Sequence, residues 1–260
     1  MRCLVSLSAF PKSGVTYLSF LLFHSLFPEE CDVRDLEKKY IIDIHEHPNA
    51  TFANEGLSLF KSHFPFHPAA PFVRATNKTI YLLRDPIDVM MSAFDFGNLI
   101  QGAKRGVESP EFRDYVRGWL ASGGNGFPQF GPWVNHVRSW LGQTQIPVHI
   151  VTYQNLVEAP ERELPDILAF LGTAVPPERQ RLAIERSSMK SMAAMEEQEV
   201  AKGADGIFFR GSLSTGYGMG HRFINKGHRN SYDTVLTAEE RALADKVFGG
   251  EVGRYLRRST

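Results

Sequence analysis

Cysteine is scarce, with only Cys3 and Cys31 in 260 residues. That excludes a disulfide framework and, with Cys3 inside an apolar run, implies a reducing, cytoplasmic setting. Net charge is also lacking, 29 Lys and Arg against 29 Asp and Glu. No overall basic field exists to gather nucleic acid or an anionic membrane, and neither is expected as a partner. No apolar stretch is long enough and free enough of charge to span a bilayer. The apolar start is interrupted by Lys12 and bounded by Gly14 and Pro28, with no small-residue cleavage site. It therefore reads as part of the fold and not as a signal peptide. The G-x-x-x-x-G-K-[ST] spacing of a Walker loop is missing, as is the G-x-S-x-G of a nucleophile elbow. Repeats, low-complexity runs and clean linkers are lacking too, so residues 1–260 are expected to form a single domain.

What is present alternates between strand and helix. Cys3–Phe10 reads as a buried strand, followed by a helix over about Thr16–Phe27. Leu59–His63 reads as a short strand and Thr79–Leu83 as a stronger one. Pro86 opens a helix with Ile87, Met90, Met91 and Phe94 on its apolar side. Amphipathic segments follow at Glu111–Ala121 and Trp133–Gly142, separated by a Gly-rich loop at Gly123–Gly131. Val148–Tyr153 reads as a further strand, and Leu164–Leu171 lies in a helix closed by Gly172. The alternation predicts an α/β fold, a central parallel sheet flanked by helices on both faces. Ligands should then bind off the C-terminal ends of the strands.

Two places carry anion chemistry. Pro11-Lys12-Ser13-Gly14-Val15-Thr16-Tyr17 joins the first strand to the first helix. Backbone N–H groups at a helix start, a close-approach glycine, hydroxyls and a lysine make a phosphate cradle. At Tyr81-Leu82-Leu83-Arg84-Asp85-Pro86, Arg84 stands at a strand end, where a guanidinium can fork onto a phosphate, with Ser92 on the following helix. Salt bridging of Arg84 to Asp85 or Asp88 is the structural alternative. Lys202–Ser231 holds seven glycines and five Lys or Arg against one acid, Asp205. It is either a flap over an anionic ligand or an exposed loop. His45-x-His47 with Glu46 lacks a further ligand cluster, so no metal is assigned. The mixed-charge run Asp32–Lys39 reads as a solvated helix face.

Together these segments resemble the cytosolic sulfotransferases. Pro-Lys-Ser-Gly-x-Thr is similar to that family's 5′-phosphosulfate loop, and Tyr-Leu-Leu-Arg-Asp-Pro-x-Asp-x-x-x-Ser to its 3′-phosphate motif. Lys61-Ser62-His63-Phe64-Pro65 resembles the segment with the catalytic histidine. Gly131-Pro132-Trp133-Val134-Asn135-His136-Val137 and Val151-Thr152-Tyr153-Gln154-Asn155-Leu156 match further downstream, as do Ser187-Ser188-Met189-Lys190-Ser191-Met192 and Asn225-Lys226-Gly227. The likeness runs in order along nearly the whole chain. Departures are Val15 for a threonine, Tyr17 for a tryptophan and Asn225 for the arginine before Lys-Gly. Arg222 or Arg229 could supply that charge. The aromatic position after Lys-Gly is held by Tyr232.

The resemblance implies a three-layer, P-loop-NTPase-like architecture and sulfuryl transfer from 3′-phosphoadenosine 5′-phosphosulfate (PAPS), a donor cosubstrate, to a small-molecule acceptor, without a metal. His63 would be the general base, with Lys61 beside it, and Lys12 would neutralise the leaving 5′-phosphate. Ser13, Gly14, Val15, Thr16 and Tyr17 would line the donor loop. Arg84, Ser92, Lys226 and Gly227 would hold the 3′-phosphate, while Tyr153, Ser188 and Met189 would flank adenine. Phe10, Phe64 and Phe66 are expected in an apolar acceptor pocket. The family's dimerisation motif is not recognisable, which leaves monomer or homodimer open. The alternatives are a non-catalytic binder of an adenosine 3′,5′-bisphosphate-type nucleotide and a kinase-like phosphoryl transferase.

Overall fold

The computed structural model describes residues 2–27, 29–225, 227, 230–250 and 253. Its elements run β1 (Arg2–Ala9), α1 (Val15–Leu26), β2 (Ile41–Asp43), β3 (Gly56–Ser62), β4 (Lys78–Leu83), α2 (Pro86–Gln101), α3 (Pro110–Ala121), α4 (Trp133–Gly142), β5 (Val148–Thr152), α5 (Tyr153–Glu158), α6 (Pro160–Leu171), α7 (Pro177–Arg186), α8 (Met189–Lys202), α9 (Ser214–Gly218), α10 (Ser231–Val235) and α11 (Ala238–Phe248). The chain divides into two compact units, residues 1–83 with 136–191 and residues 84–135 with 192–260.

The first unit carries the sheet. Its strands lie in the order β2-β3-β1-β4-β5 and every pairing is parallel. Parallel strands covered on both faces read as nearly continuous apolar runs, and the inner strands β1 and β4 are buried along most of their length. The buried hydroxyls of Ser6, Ser8 and Thr79 satisfy one another. Ser6 Oγ lies 2.7 Å from Thr79 Oγ1, and Ser8 donates to Ser6 at 3.2 Å. The register pairs Ser8 with Ser62, Ala9 with Leu82 and Leu83 with Thr152. The ends of β1, β3, β4 and β5 therefore emerge along one edge of the sheet, where a parallel sheet presents its ligands. Helix α1 is buried on almost every side, as a helix apolar all round should be.

The second unit is helical. Asp85 caps α2, accepting from Ile87 and Asp88 N–H, and Pro86 takes the first helical position, where no N–H is needed. Phe94 packs edge-on against Phe112 of α3, and Leu99, Phe209 and Tyr217 form a core cluster. Thr237 and Glu240 close a capping box at the start of α11.

Asp32–Lys39 is helical only in two short pieces, Val33–Asp35 and Leu36–Tyr40; Arg34, Lys38 and Lys39 face solvent as expected, whereas Leu36 is fully buried. Part of the Gly-rich segment after Lys202 is tied down by side chains of α8. Glu199 accepts from the N–H groups of Ile207, Phe208 and Phe209, and Glu196 accepts from Phe223 and Ile224. Two buried carboxylates thus replace the missing periodicity as the organising element.

Candidate active site

The loop after β1 is built around unusual backbone. Lys12 and Gly14 both have positive φ, 67° and 97°. Glycine adopts this region at little cost; lysine does so under strain that the surroundings must sustain. Ser13 N–H bonds back to Phe10 O at 3.2 Å, closing the turn, and Gly14 then starts α1 with no side-chain cap. Helix starts expose N–H groups, and among the described residues nothing accepts from Val15 or Thr16 N–H. The Ser13 hydroxyl is buried and has no hydrogen-bond partner among the described residues. Donors facing inward at a helix N-terminus fit an anionic group such as a phosphate or sulfate.

Gly14 serves a second purpose. A Cβ at this position would lie 2.5 Å from Cδ2 of Tyr153, so the aromatic ring lies directly against the loop backbone. Tyr153 opens α5 immediately after β5, and Thr152 caps that helix by accepting from Asn155 N–H. Tyr17, on the first turn of α1, is buried, and its phenol is pushed up to about 12, by burial first and by Tyr153 second. Ser188 Oγ meets Ser191 Oγ at 2.8 Å and accepts from Ser191 N–H, tying the start of α8; Ser188 and Met189 are half-buried.

His63 follows the end of β3. Its Nδ1 lies 2.8 Å from Ala9 O, the last residue of β1. A carbonyl only accepts, so Nδ1 carries the proton and the lone pair resides on Nε2. Burial, and then the Lys61 charge, push the pKa down to about 3, so the ring is neutral, with the Nε2 lone pair unprotonated, through the physiological range. The following backbone is held from α4. His136 Nε2 lies 3.1 Å from His63 O, Trp140 Nε1 donates to Phe64 O at 3.1 Å, and Phe66 N–H donates to Ser139 Oγ at 2.9 Å. Tyr81 OH lies 2.9 Å from His136 Nδ1 and completes that line. With His136 neutral, held down to about 4 by burial, Nε2–H donates and Nδ1 accepts.

The other residues expected from sequence fall as follows. Lys61 is buried and its Nζ bridges Asp43 Oδ2 at 2.7 Å and Glu37 Oε1 at 3.0 Å. Phe10 is fully buried and meets His136 edge-on, whereas Phe64 and Phe66 are half-buried. Phe64 packs on the cluster of Leu4, Ile44 and Phe60, and Phe66 on Trp140. Thus the first unit brings together Lys12, Ser13, Gly14, Val15, Thr16, Tyr17 and Tyr153 at one end of the sheet, with His63 hydrogen-bonded to the same β1 terminus. Sequence reading missed Asp43 and Glu37 and gave His45 no role. The alternating His-x-His run was the available signal, but only the fold supplies its partners.

The chain matches the sulfotransferase domain family over residues 4–256. It is 26% identical over 255 residues to a 3-beta-hydroxysteroid sulfotransferase of Cavia porcellus, covering 95% of this chain and 82% of that relative. The chain belongs to the sulfotransferase domain family. In fold it is similar to a mouse sulfotransferase complexed with PAP, with a TM-score of 0.65 at 18% identity, covering 98% of this chain and 87% of that one. It is also similar to a retinol dehydratase in complex with androsterone and inactive cofactor PAP, with a TM-score of 0.69 at 17% identity, covering 95% and 79%.

In the second unit of the sulfotransferase, Arg84 is buried, and Ser92 is half-buried on α2. Burial beside Asp88 raises the Asp85 carboxyl to about 6. Asn225, at the position of the expected arginine, donates to Asp95 Oδ2 at 2.6 Å. Arg222 lies 3.5 Å from Glu197 and over the Tyr217 ring. Gly227 has a positive φ of 56°. Lys226 and Arg229 lie outside the described residues. Among the described residues no group of three or more His, Cys, Asp or Glu could hold a metal ion, and no helix is long and apolar enough to cross a membrane.

Proposed function

We propose that this enzyme moves the sulfuryl group of PAPS to a hydroxyl or amine of a small, partly apolar acceptor. The reading is carried by His63, whose Nδ1 is fixed on Ala9 O three residues before Lys12, leaving a neutral Nε2 as proton acceptor beside an anion-binding loop. PAPS supplies the activated sulfur. Ser13 and the N–H groups of Val15 and Thr16 bind its 5′ anion, and Tyr153 and Tyr17 wall the nucleotide side. Lys12 offsets charge that builds on the departing phosphate, an interaction that strengthens in the transition state. His63 Nε2 takes the acceptor proton as the acceptor oxygen attacks sulfur in line. Arg84, Ser92 and the Lys226-Gly227 pair bind the 3′-phosphate, with Ser188 and Met189 near adenine. The exposed sides of Phe64 and Phe66 favour an apolar acceptor. The names of the relatives direct the first choices to hydroxysteroids and retinol.

The test is incubation with PAPS and a panel of hydroxysteroids, retinol, simple phenols and amines, read by mass spectrometry for an added sulfate and by appearance of adenosine 3′,5′-bisphosphate. Transfer to any of them supports the reading. Tight bisphosphate binding without transfer across a broad panel favours a non-catalytic nucleotide binder, and magnesium-dependent transfer from ATP favours a kinase.

A further inference from the structure

His63 is held from a third direction. Its backbone N–H donates to Nε2 of His45 at 2.7 Å, and the two imidazoles lie nearly face to face, with centroids 5.3 Å apart and planes 19° from parallel. His45 comes from the turn after β2, and that turn is wound on Asp43. The Asp43 carbonyl accepts from Glu46 and His47 N–H, and its Oδ1 accepts from His45 N–H at 2.9 Å. Oδ2 of the same carboxylate meets Lys61 Nζ at 2.7 Å, and Lys61 in turn meets Glu37. Asp43 and Lys61 are register partners across the β2–β3 pairing, so the sheet itself sets acid beside amine. All three side chains are withdrawn from water, where removing one charge strands the others.

The arrangement depends on His45 being neutral, because an imidazolium has no lone pair to accept the His63 amide. Burial is the largest cause holding the His45 pKa below its ordinary value. Lys61 acts in the same direction, while Asp43 and Glu46 oppose it. His63 faces it across the ring stack. Ala9 O fixes one edge of the His63 ring; His45 fixes its backbone and covers a face. Together they leave the aim of Nε2 little freedom.

We propose that His45 is a positioning residue for His63, with Asp43, Lys61 and Glu37 as the buried frame that sets His45. The proposal rests on His63 being the base. Displacing a reacting group by about 1 Å can cost about a hundredfold in rate, which is the scale on which such a frame matters.

The experiment compares wild type, His45→Phe, His45→Gln and His63→Ala, using PAPS and the acceptor that wild type turns over fastest in the panel above. His45→Phe keeps the stacking and loses the acceptor atom; His45→Gln restores an acceptor near it. The expected result for His45→Phe is a fall in kcat of about ten- to a hundredfold, with KM for PAPS within about twofold, and recovery of most of the loss in His45→Gln. Hydrogen exchange at the His63 amide, which needs no acceptor, should speed up in His45→Phe and slow again in His45→Gln. Should His45→Phe fail to fold, Asp43→Asn, which keeps an acceptor for His45 N–H but weakens the Lys61 pair, should show the same kcat-only loss. A near-native kcat in a folded His45→Phe or Asp43→Asn, with His63→Ala inactive, overturns the positioning role alone. A near-native rate in His63→Ala removes the base assignment and this inference with it.

Discussion

At the scale of single residues, the protonation state of His63 is set by where its ring lies. Burial costs the imidazolium its hydration, and Lys61 adds repulsion, so the pKa falls to about 3. The acid limb of kcat/KM, which reports groups of the free enzyme, should therefore lie well below the ordinary histidine value of 6.5. A pH–rate profile with that limb near 6.5 would contradict the buried neutral ring. Gly14 is the second decisive residue. A left-handed backbone on alanine costs about 1–2 kcal/mol, and here the new Cβ also meets the Tyr153 ring. Gly14→Ala should weaken adenosine 3′,5′-bisphosphate binding by about tenfold or more; calorimetry with unchanged affinity would mean the loop does not hold that ligand.

At the scale of elements, polar groups inside the fold decide more than apolar pattern does. Glu199 alone accepts three successive backbone N–H groups that α8 brings within reach. Glu199→Ala would leave buried donors unsatisfied, and a stability loss of about 2–4 kcal/mol is expected from urea unfolding. A loss under about 0.5 kcal/mol would mean that water or other groups replace the carboxylate. The same contrast explains what the sequence could reveal. β1, β4, α2, α3 and α4 announced themselves through apolar runs, Pro86 and amphipathic spacing, and their predicted bounds lie within a residue or two of the observed ones where given. β2 has three residues, too few to display any period, and β3 starts earlier than expected because Gly56, Leu57 and Ser58 lie toward solvent. The order around Glu196 and Glu199 was invisible for another reason. It rests on carboxylates sitting in a helix and bonding to backbone many residues later, which no local pattern encodes. For the site, Lys12-to-Thr16 and His63 were legible as motifs. The ion pairs of Lys61 were not, because Glu37, Asp43 and Lys61 meet only through strand pairing and the preceding turn.

At the scale of the whole molecule, histidines drawn wholly or partly out of water make the fold sensitive to acid. His24, His63 and His136 are held near 4, 3 and 4 in the folded chain, against 6.5 when unfolded. Between those values the unfolded chain binds more protons, so their contribution is complete above about pH 6.5 and is lost as pH falls toward 4. Asp85, raised to about 6, works the other way, since its folded form keeps a proton that the unfolded form releases above about 4; Glu196 is shifted in the same sense. Three histidines outweigh these carboxyls, and unfolding at about pH 5 should take up about two protons net. The melting temperature should therefore drop steadily from about pH 7 to pH 5; a flat or rising profile would mean those imidazoles are solvated. Function at this scale turns on whether the anion loop, a neutral imidazole and an arginine at a strand end serve one reaction. Wild type and His63→Ala, each given PAPS and the acceptor panel, should both bind adenosine 3′,5′-bisphosphate with similar affinity by calorimetry. Only wild type should release it together with a sulfated acceptor, the variant being slower by about 10²- to 10⁴-fold. Equal product formation by the two proteins would contradict the assignment of His63 as the group that takes the acceptor's proton.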